Sequence, residues 1–196
     1  MKKILTVIVA LVAAVGSFAQ QPTGTLSVAP KAGINISTMT NAIEGKMKVG
    51  FVGGVDLTYQ MADAFALSGG LFYSQQGVKQ EVSSTITSSL KNDYFNVPIL
   101  ANYYIAPGLA IKAGVQFGAL LSAKYKADND IASATVDVKE AYKSLDIAIP
   151  IGVSYEFSHL IIDARYNFGL TTSVKEMEES SKNNVIMLTV GYKINL

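Results

Sequence analysis

The sequence predicts an all-β fold: a closed, up-and-down barrel of eight antiparallel transmembrane strands behind an N-terminal signal peptide. Three observations carry this prediction. One long apolar run stands near the N-terminus and no comparable run follows. Eight later segments alternate apolar and polar residues, with no charge on the apolar phase. The breaks between those segments are alternately long and short.

The apolar run is Ile4 to Val15. Lys2 and Lys3 precede it, and Ser17-Phe18-Ala19 follows. A basic start, a short apolar core and small residues at the cleavage positions describe a secretory signal. The run falls short of the ~20 apolar residues that a spanning helix needs. The expected division is a signal peptide at 1–19, cleaved after Ala19, and a barrel domain at 20–196. Export would use the secretion machinery.

Each strand follows from period-two alternation, which marks a sheet with one apolar face. The first is the weakest: Val28, Pro30, Ala32, Ile34 and Ile36 against Lys31, Gly33 and Asn35. The second sets Phe51, Gly53, Val55, Leu57 and Tyr59 against Val52, Gly54, Asp56 and Thr58. The third runs Phe65, Leu67, Gly69, Leu71, Tyr73, and the fourth Phe95, Val97, Ile99, Ala101, Tyr103. The fifth extends from Leu109 to Leu121 and the sixth from Leu145 to Tyr155. The seventh runs from Leu160 to Phe168 and the eighth from Ile186 to Leu196. Segments of about ten residues cross a bilayer when tilted.

The breaks near 38–48, 75–92, 124–143 and 171–183 are long and polar, whereas those at 60–63, 105–108 and 157–159 are short. Outer-membrane barrels pair short periplasmic turns with long external loops, so both ends of the barrel are expected on the periplasmic side. Nothing in the pattern indicates a second domain or a periplasmic wall-binding domain. Aromatic residues gather near the strand ends (Phe51, Tyr73, Phe95 and Phe168 among them), as two headgroup-level belts require.

A lipid-facing sheet must close, because hydrocarbon offers no partner to an edge N–H or C=O. The polar phase then lines the lumen. It supplies Lys31, Lys112, Arg165 and Lys193 together with Asp56, Asp146, Glu156 and Asp163. The signs balance, and buried charges need partners. These eight residues are therefore expected to form a charge network that fills the lumen, with inward glycines leaving room for the long side chains.

Tyr73-Ser74-Gln75-Gln76-Gly77, Tyr94-Phe95-Asn96-Val97-Pro98 and Ala164-Arg165-Tyr166-Asn167-Phe168-Gly169-Leu170 resemble the porin-family outer-membrane β-barrel domain common in Bacteroidota. That domain is related in architecture to OmpA/OmpX-type barrels, and the resemblance covers nearly the whole mature chain. It implies a bacterial outer-membrane location. The end of the chain, Thr189-Val190-Gly191-Tyr192-Lys193-Ile194-Asn195-Leu196, is similar to the strand signal read by the barrel-assembly machinery. Thr189, Gly191, Ile194 and Leu196 would carry that signal, although many such proteins end in phenylalanine. The word "porin" in the family's name does not establish conduction.

Little in the sequence suggests chemistry. The single histidine, His159, falls in a predicted periplasmic turn beside Ser158, with no gathered triad. Asp128-Asn129-Asp130 lacks the glycine and the later glutamate of a calcium loop. There is no cysteine, so thiol chemistry and disulfides are excluded. A net charge of +1 gives no reason to expect nucleic acid. No catalytic, metal or cofactor residue is expected.

The expected partners are outer-membrane lipid and lipopolysaccharide, with a host or cell-surface ligand possible at the loops. Ser83-Ser84-Thr85-Ile86-Thr87-Ser88-Ser89 and Lys175-Glu176-Met177-Glu178-Glu179 lie in such loops. The leading expectation is a non-enzymatic surface barrel for structure, recognition or adhesion. A small passive channel is the alternative. A soluble lipocalin-like binder fits poorly, because its cavity would be apolar and this inward face holds the charges.

Overall fold

The computed structural model describes residues 22–40, 45–83, 86–129, 133–174 and 181–196. The signal peptide, its cleavage site and Lys175 to Glu179 lie outside the described residues, as do Ser84, Thr85 and Asp130. The strands are β1 (Leu26–Met39), β2 (Gly45–Ala62), β3 (Phe65–Ser83), β4 (Ile86–Ala106) and β5 (Leu109–Asn129). They continue as β6 (Ser133–Asp137), β7 (Leu145–Phe157), β8 (Leu160–Gly169), β9 (Asn183–Tyr192) and β10 (Ile194–Asn195). A short 3-10 turn covers Lys139–Ala141.

Each membrane strand pairs antiparallel with the next, and the sheet closes where β1 meets β9, from Lys31 opposite Gly191 to Met39 opposite Asn183. β10 prolongs the seam, with Ser27 opposite Asn195. The last strand of the barrel is thus β9 and β10 together, and eight strands form the wall. The backbone N–H of Leu196 donates to the carbonyl of Leu26, tying the end of the chain to the start of the barrel.

The outside of this wall is apolar and the inside polar. Leu57, Ile111, Ile151, Ile162 and Val190 are exposed, while Asn35, Asn92, Asp163 and Arg165 are buried. Such inversion is stable only in a solvent without water. Phe51, Tyr73, Phe95, Phe117 and Phe168 stand at one end of the apolar band, and Tyr59, Phe65, Tyr103, Tyr155 and Tyr192 at the other. The register supports these two levels: Tyr73 lies opposite Phe95, and Phe65 opposite Tyr103. Nothing charged faces out between them among the described residues.

Three connections are two-residue turns: Asp63-Ala64, Pro107-Gly108 and Ser158-His159. Gly108 (φ 74°) and Ser158 (φ 54°) take the left-handed conformation that such tight reversals need. The other end departs from the sequence expectation. The breaks predicted at 75–92 and 124–143 are largely strand, because β3, β4 and β5, with total lengths of 19, 21 and 21 residues, run on past the apolar band. β6 folds back on β5, with Lys124 opposite Asp137. The barrel therefore carries a tall half-wall on β2 to β6, while β8 and β9 stop at ten residues each.

Candidate functional site

The lumen is the site to which most buried polar residues contribute. Its side chains come from the inward phase of all eight wall strands, and glycines govern how they fit. Lys31 sits between Gly54 and Gly191 on the neighbouring strands. Arg165 and Lys112 both face Gly152, one from each side. A Cβ at Gly152 would lie 2.6 Å from the Arg165 Cγ, and one at Gly191 2.5 Å from the Lys31 Cγ. The absent side chains are the space through which the lysines and arginine cross the lumen.

Five of the eight predicted residues meet at mid-barrel. The Lys31 ammonium lies 2.5 Å from Asp56 Oδ2 and 3.5 Å from Asp163 Oδ2. Lys112 reaches Asp163 Oδ2 at 2.9 Å, and Arg165 Nε reaches Asp163 Oδ1 at 2.6 Å. Arg165 Nη2 lies 3.5 Å from Asp56 Oδ2. The guanidinium also stacks over Phe72, 5.5 Å from the ring centroid. Three cations share two carboxylates, and every one of the five side chains is at least nine-tenths buried. Desolvating such charges costs several kcal/mol per ion, which only close and repeated pairing offsets.

The other three predicted residues do not join that cluster. Lys193 pairs with Glu156 at 2.6 Å near the turn end, where the Tyr104 hydroxyl donates to the same carboxylate at 2.9 Å. Asp146 lies toward the opposite end. Thr171 Oγ1 donates to it at 3.2 Å and Asn183 Nδ2 at 3.5 Å, and Asn183 also donates to the Tyr94 hydroxyl at 3.1 Å. No cation is within ion-pair distance of Asp146 among the described residues. The single network expected from the sequence is instead three tiers at different depths.

Sequence reasoning missed Phe72, Tyr94, Tyr104 and Asn183 as members of these tiers. The available signal was phase: each sits on the inward parity of its strand. Of the terminal-strand residues, Thr189 is buried inward and Gly191 admits Lys31, whereas Ile194 and Leu196 face outward and are exposed. His159 stacks on Tyr192 (5.4 Å between centroids) and its Nδ1 is 3.1 Å from Ser158 Oγ. No acid joins them, and no cluster of metal-ligating side chains occurs among the described residues.

An apolar exterior with two aromatic levels, a closed antiparallel wall and a charged, polar interior define a small integral barrel of the bacterial outer membrane. The chain matches the model of the outer membrane protein beta-barrel domain over residues 18–175, and it belongs to that family. No curated protein matches it in sequence. Among solved structures it is similar to Neisserial surface protein A, with 14% identity and a TM-score of 0.53 over 86% of this chain and 97% of that one. It is also similar to Ail, the attachment invasion locus protein of Yersinia pestis, in complex with the heparin analogue sucrose octasulfate. That likeness has 16% identity and a TM-score of 0.50, over 88% of this chain and 100% of the other. These likenesses concern the fold.

Proposed function

We propose that this protein is a non-conducting, non-enzymatic surface barrel that acts through its outer end, in recognition or adhesion, rather than through its lumen. The observation that carries this reading is the mid-barrel cluster. Each ammonium and the guanidinium there is bonded to a carboxylate anchored on another strand or two residues away. An ion entering the lumen would have to displace those pairs. The tall half-wall of β2 to β6 offers an extended surface for a partner, and one barrel of this fold, Ail, has been captured with a sulfated sugar analogue.

The test is planar-bilayer conductance of the purified barrel, with a heat-dependent gel shift confirming that it is folded. Silence from a folded barrel is the expected result, and discrete, reproducible steps would transfer the function to transport. One observation favours that second reading. Arg165 Nη1, Asp56 Oδ1, Asn167 Oδ1 and Thr189 Oγ1 are buried without a protein partner, and a polar atom in that position prefers water. Conductance that rises on Arg165→Ala would identify a hydrated, gated path.

For biogenesis, Thr189, Gly191, Ile194 and Leu196 are proposed as the signal for the barrel-assembly machinery. Deleting Leu196 should lower the amount of folded protein in the outer membrane while leaving refolding in detergent unchanged.

A further inference from the structure

The outer wall just beyond the aromatic level holds a group of lysines that the lumen does not explain. On β4 and β5, Lys91 stands directly opposite Lys124. Both are exposed on the lipid-facing side of the sheet. Like charges directly opposite on adjacent strands oppose pairing, yet neither has an ion pair among the described residues. This contrasts with the lumen, where each cation has a carboxylate.

A third lysine joins them from an unusual direction. The pairing of β2 with β3 lapses between Met47 and Val52. Lys48 lies in that interval, opposite Ser37 of β1, with 6% of its surface exposed. Its ammonium donates to the carbonyl of Gln76 at 2.7 Å, a neutral acceptor. It lies 3.3 Å from the point a Cβ on Gly77 would occupy. Gly77 has φ 134°, so glycine is required there by the backbone and also leaves the lysine its path. Lys48, Lys91 and Lys124 together line a recess of about 350 Å³ with Gln75, Asp93 and Ser122. Three lysines line it with one carboxylate, that of Asp93, while Asp137 stands opposite Lys124 on the side away from Lys91, and Gln75 is held in place by its bond to the Tyr73 hydroxyl.

The depth of this recess identifies its occupant. Lys91 is four residues beyond Phe95 on β4, which is roughly 10 Å above the aromatic level once strand tilt is allowed for. Lysine stems reach several ångströms along a wall. Directly below, Phe51, Tyr73 and Phe95 face the membrane. A ligand that satisfies both zones has an anionic head and hydrocarbon tails. We infer that this recess binds a phosphate group of a phosphorylated glycolipid in the outer leaflet, with Lys91 and Lys124 contacting the phosphate from the wall and Lys48 from beneath. The inference does not depend on whether the lumen conducts.

The experiment measures binding of lipid A to the folded full-length mature barrel in detergent by native mass spectrometry. The comparison arms are lipid A stripped of its phosphates and inorganic phosphate alone. The expected result is retention of phosphorylated lipid A, at least tenfold weaker binding of the stripped lipid, and no retention of inorganic phosphate at equal concentration. Lys91→Gln with Lys124→Gln should weaken phosphorylated lipid A at least tenfold. Lys139→Gln with Lys143→Gln, which removes equal charge elsewhere on the outer end, should leave it within twofold. The heat-dependent gel shift verifies that each variant is folded. Equal binding of the stripped lipid would reduce the site to an acyl-chain contact and overturn the proposal. So would equal losses in the two double variants, or competition by inorganic phosphate at the lipid's own concentration. None of these outcomes bears on conductance, so this reading and the closed-lumen reading fail separately.

Discussion

The lysines of this barrel occupy two contrasting settings. Lys31, Lys112 and Lys193 cross the lumen, almost wholly buried, and each meets a carboxylate within 2.9 Å. Lys91 and Lys124 stand on the outer wall, exposed and facing each other. In the lumen, the surrounding wall withholds water, so a charge survives only with a partner supplied by the same chain. On the wall above the apolar band, water and membrane headgroups are within reach, and the chain need supply none. The same residue type is thus a structural element in one place and a surface for binding in the other.

Removing a luminal anion should have the largest effect. Asp163→Ala takes from Lys112 the only carboxylate it pairs with among the described residues, and one of two from Arg165 and Lys31. Leaving buried charge uncompensated costs about 3–5 kcal/mol. Urea unfolding of the refolded barrel in micelles should show a loss of that size. Replacing the group as a whole, with Asp163→Leu, Arg165→Met and Lys112→Met, should recover most of it, because apolar side chains of similar volume carry no desolvation cost. If the single variant were as stable as the parent, the lumen would have to be wet enough to screen its charges.

The lipid face gives the next largest effect. Val153 is exposed on β7 in the apolar band. Val153→Arg should cost roughly 2–4 kcal/mol at that depth, measured by unfolding in vesicles. The same change in a lysine-rich stretch above the aromatic level should cost little. Packing comes third. A side chain at Gly152 would run into the Ala164 carbonyl as well as the stem of Arg165. Gly152→Val should therefore destabilise by about 1–3 kcal/mol. Combining it with Arg165→Ala should relieve the clash with the stem but not that with the carbonyl, so the recovery would be partial.

The two settings also differ in how far the sequence revealed them. Between the aromatic levels the chain must present hydrocarbon outward, so a period-two pattern marks every strand, and the phase of Lys31, Asp56, Lys112 and Arg165 could be read directly. Above the band both faces of the hairpins meet water. Stretches such as Ile86 to Ser89 then lose the hydrophobic alternation although they are strand, which is why 75–92 reads as a loop although 75–83 and 86–92 pair as strands. Pairing inside the lumen was equally hidden. Lys31 and Asp163 lie 132 positions apart, and their meeting depends on closure and relative register, which no local pattern carries. The division into three tiers follows from the same cause. Lys48 was obscured for another reason: its route depends on the lapse in pairing between β2 and β3, and only the glycine at position 77 hints at it.

The smallest predicted effect is also the one that separates the settings most cleanly, because its sign differs. In micelles without anionic lipid, Lys91→Gln removes a like-charge pair and breaks no ion pair. It should leave the barrel as stable as the parent or more stable by about 0.2–1 kcal/mol. Lys193→Met, by contrast, takes from the buried Glu156 the cation it pairs with among the described residues and should destabilise under the same conditions. Raising the salt concentration should shrink the gain from Lys91→Gln, since exposed charges are screened over a Debye length of about 10 Å at 0.1 M. It should scarcely alter the loss from Lys193→Met, which is shielded by the wall. Unfolding free energies of both variants at low and high salt test this directly. A salt-independent loss at Lys91 would mean that this lysine, too, has a structural partner, and the contrast between wall and lumen would disappear.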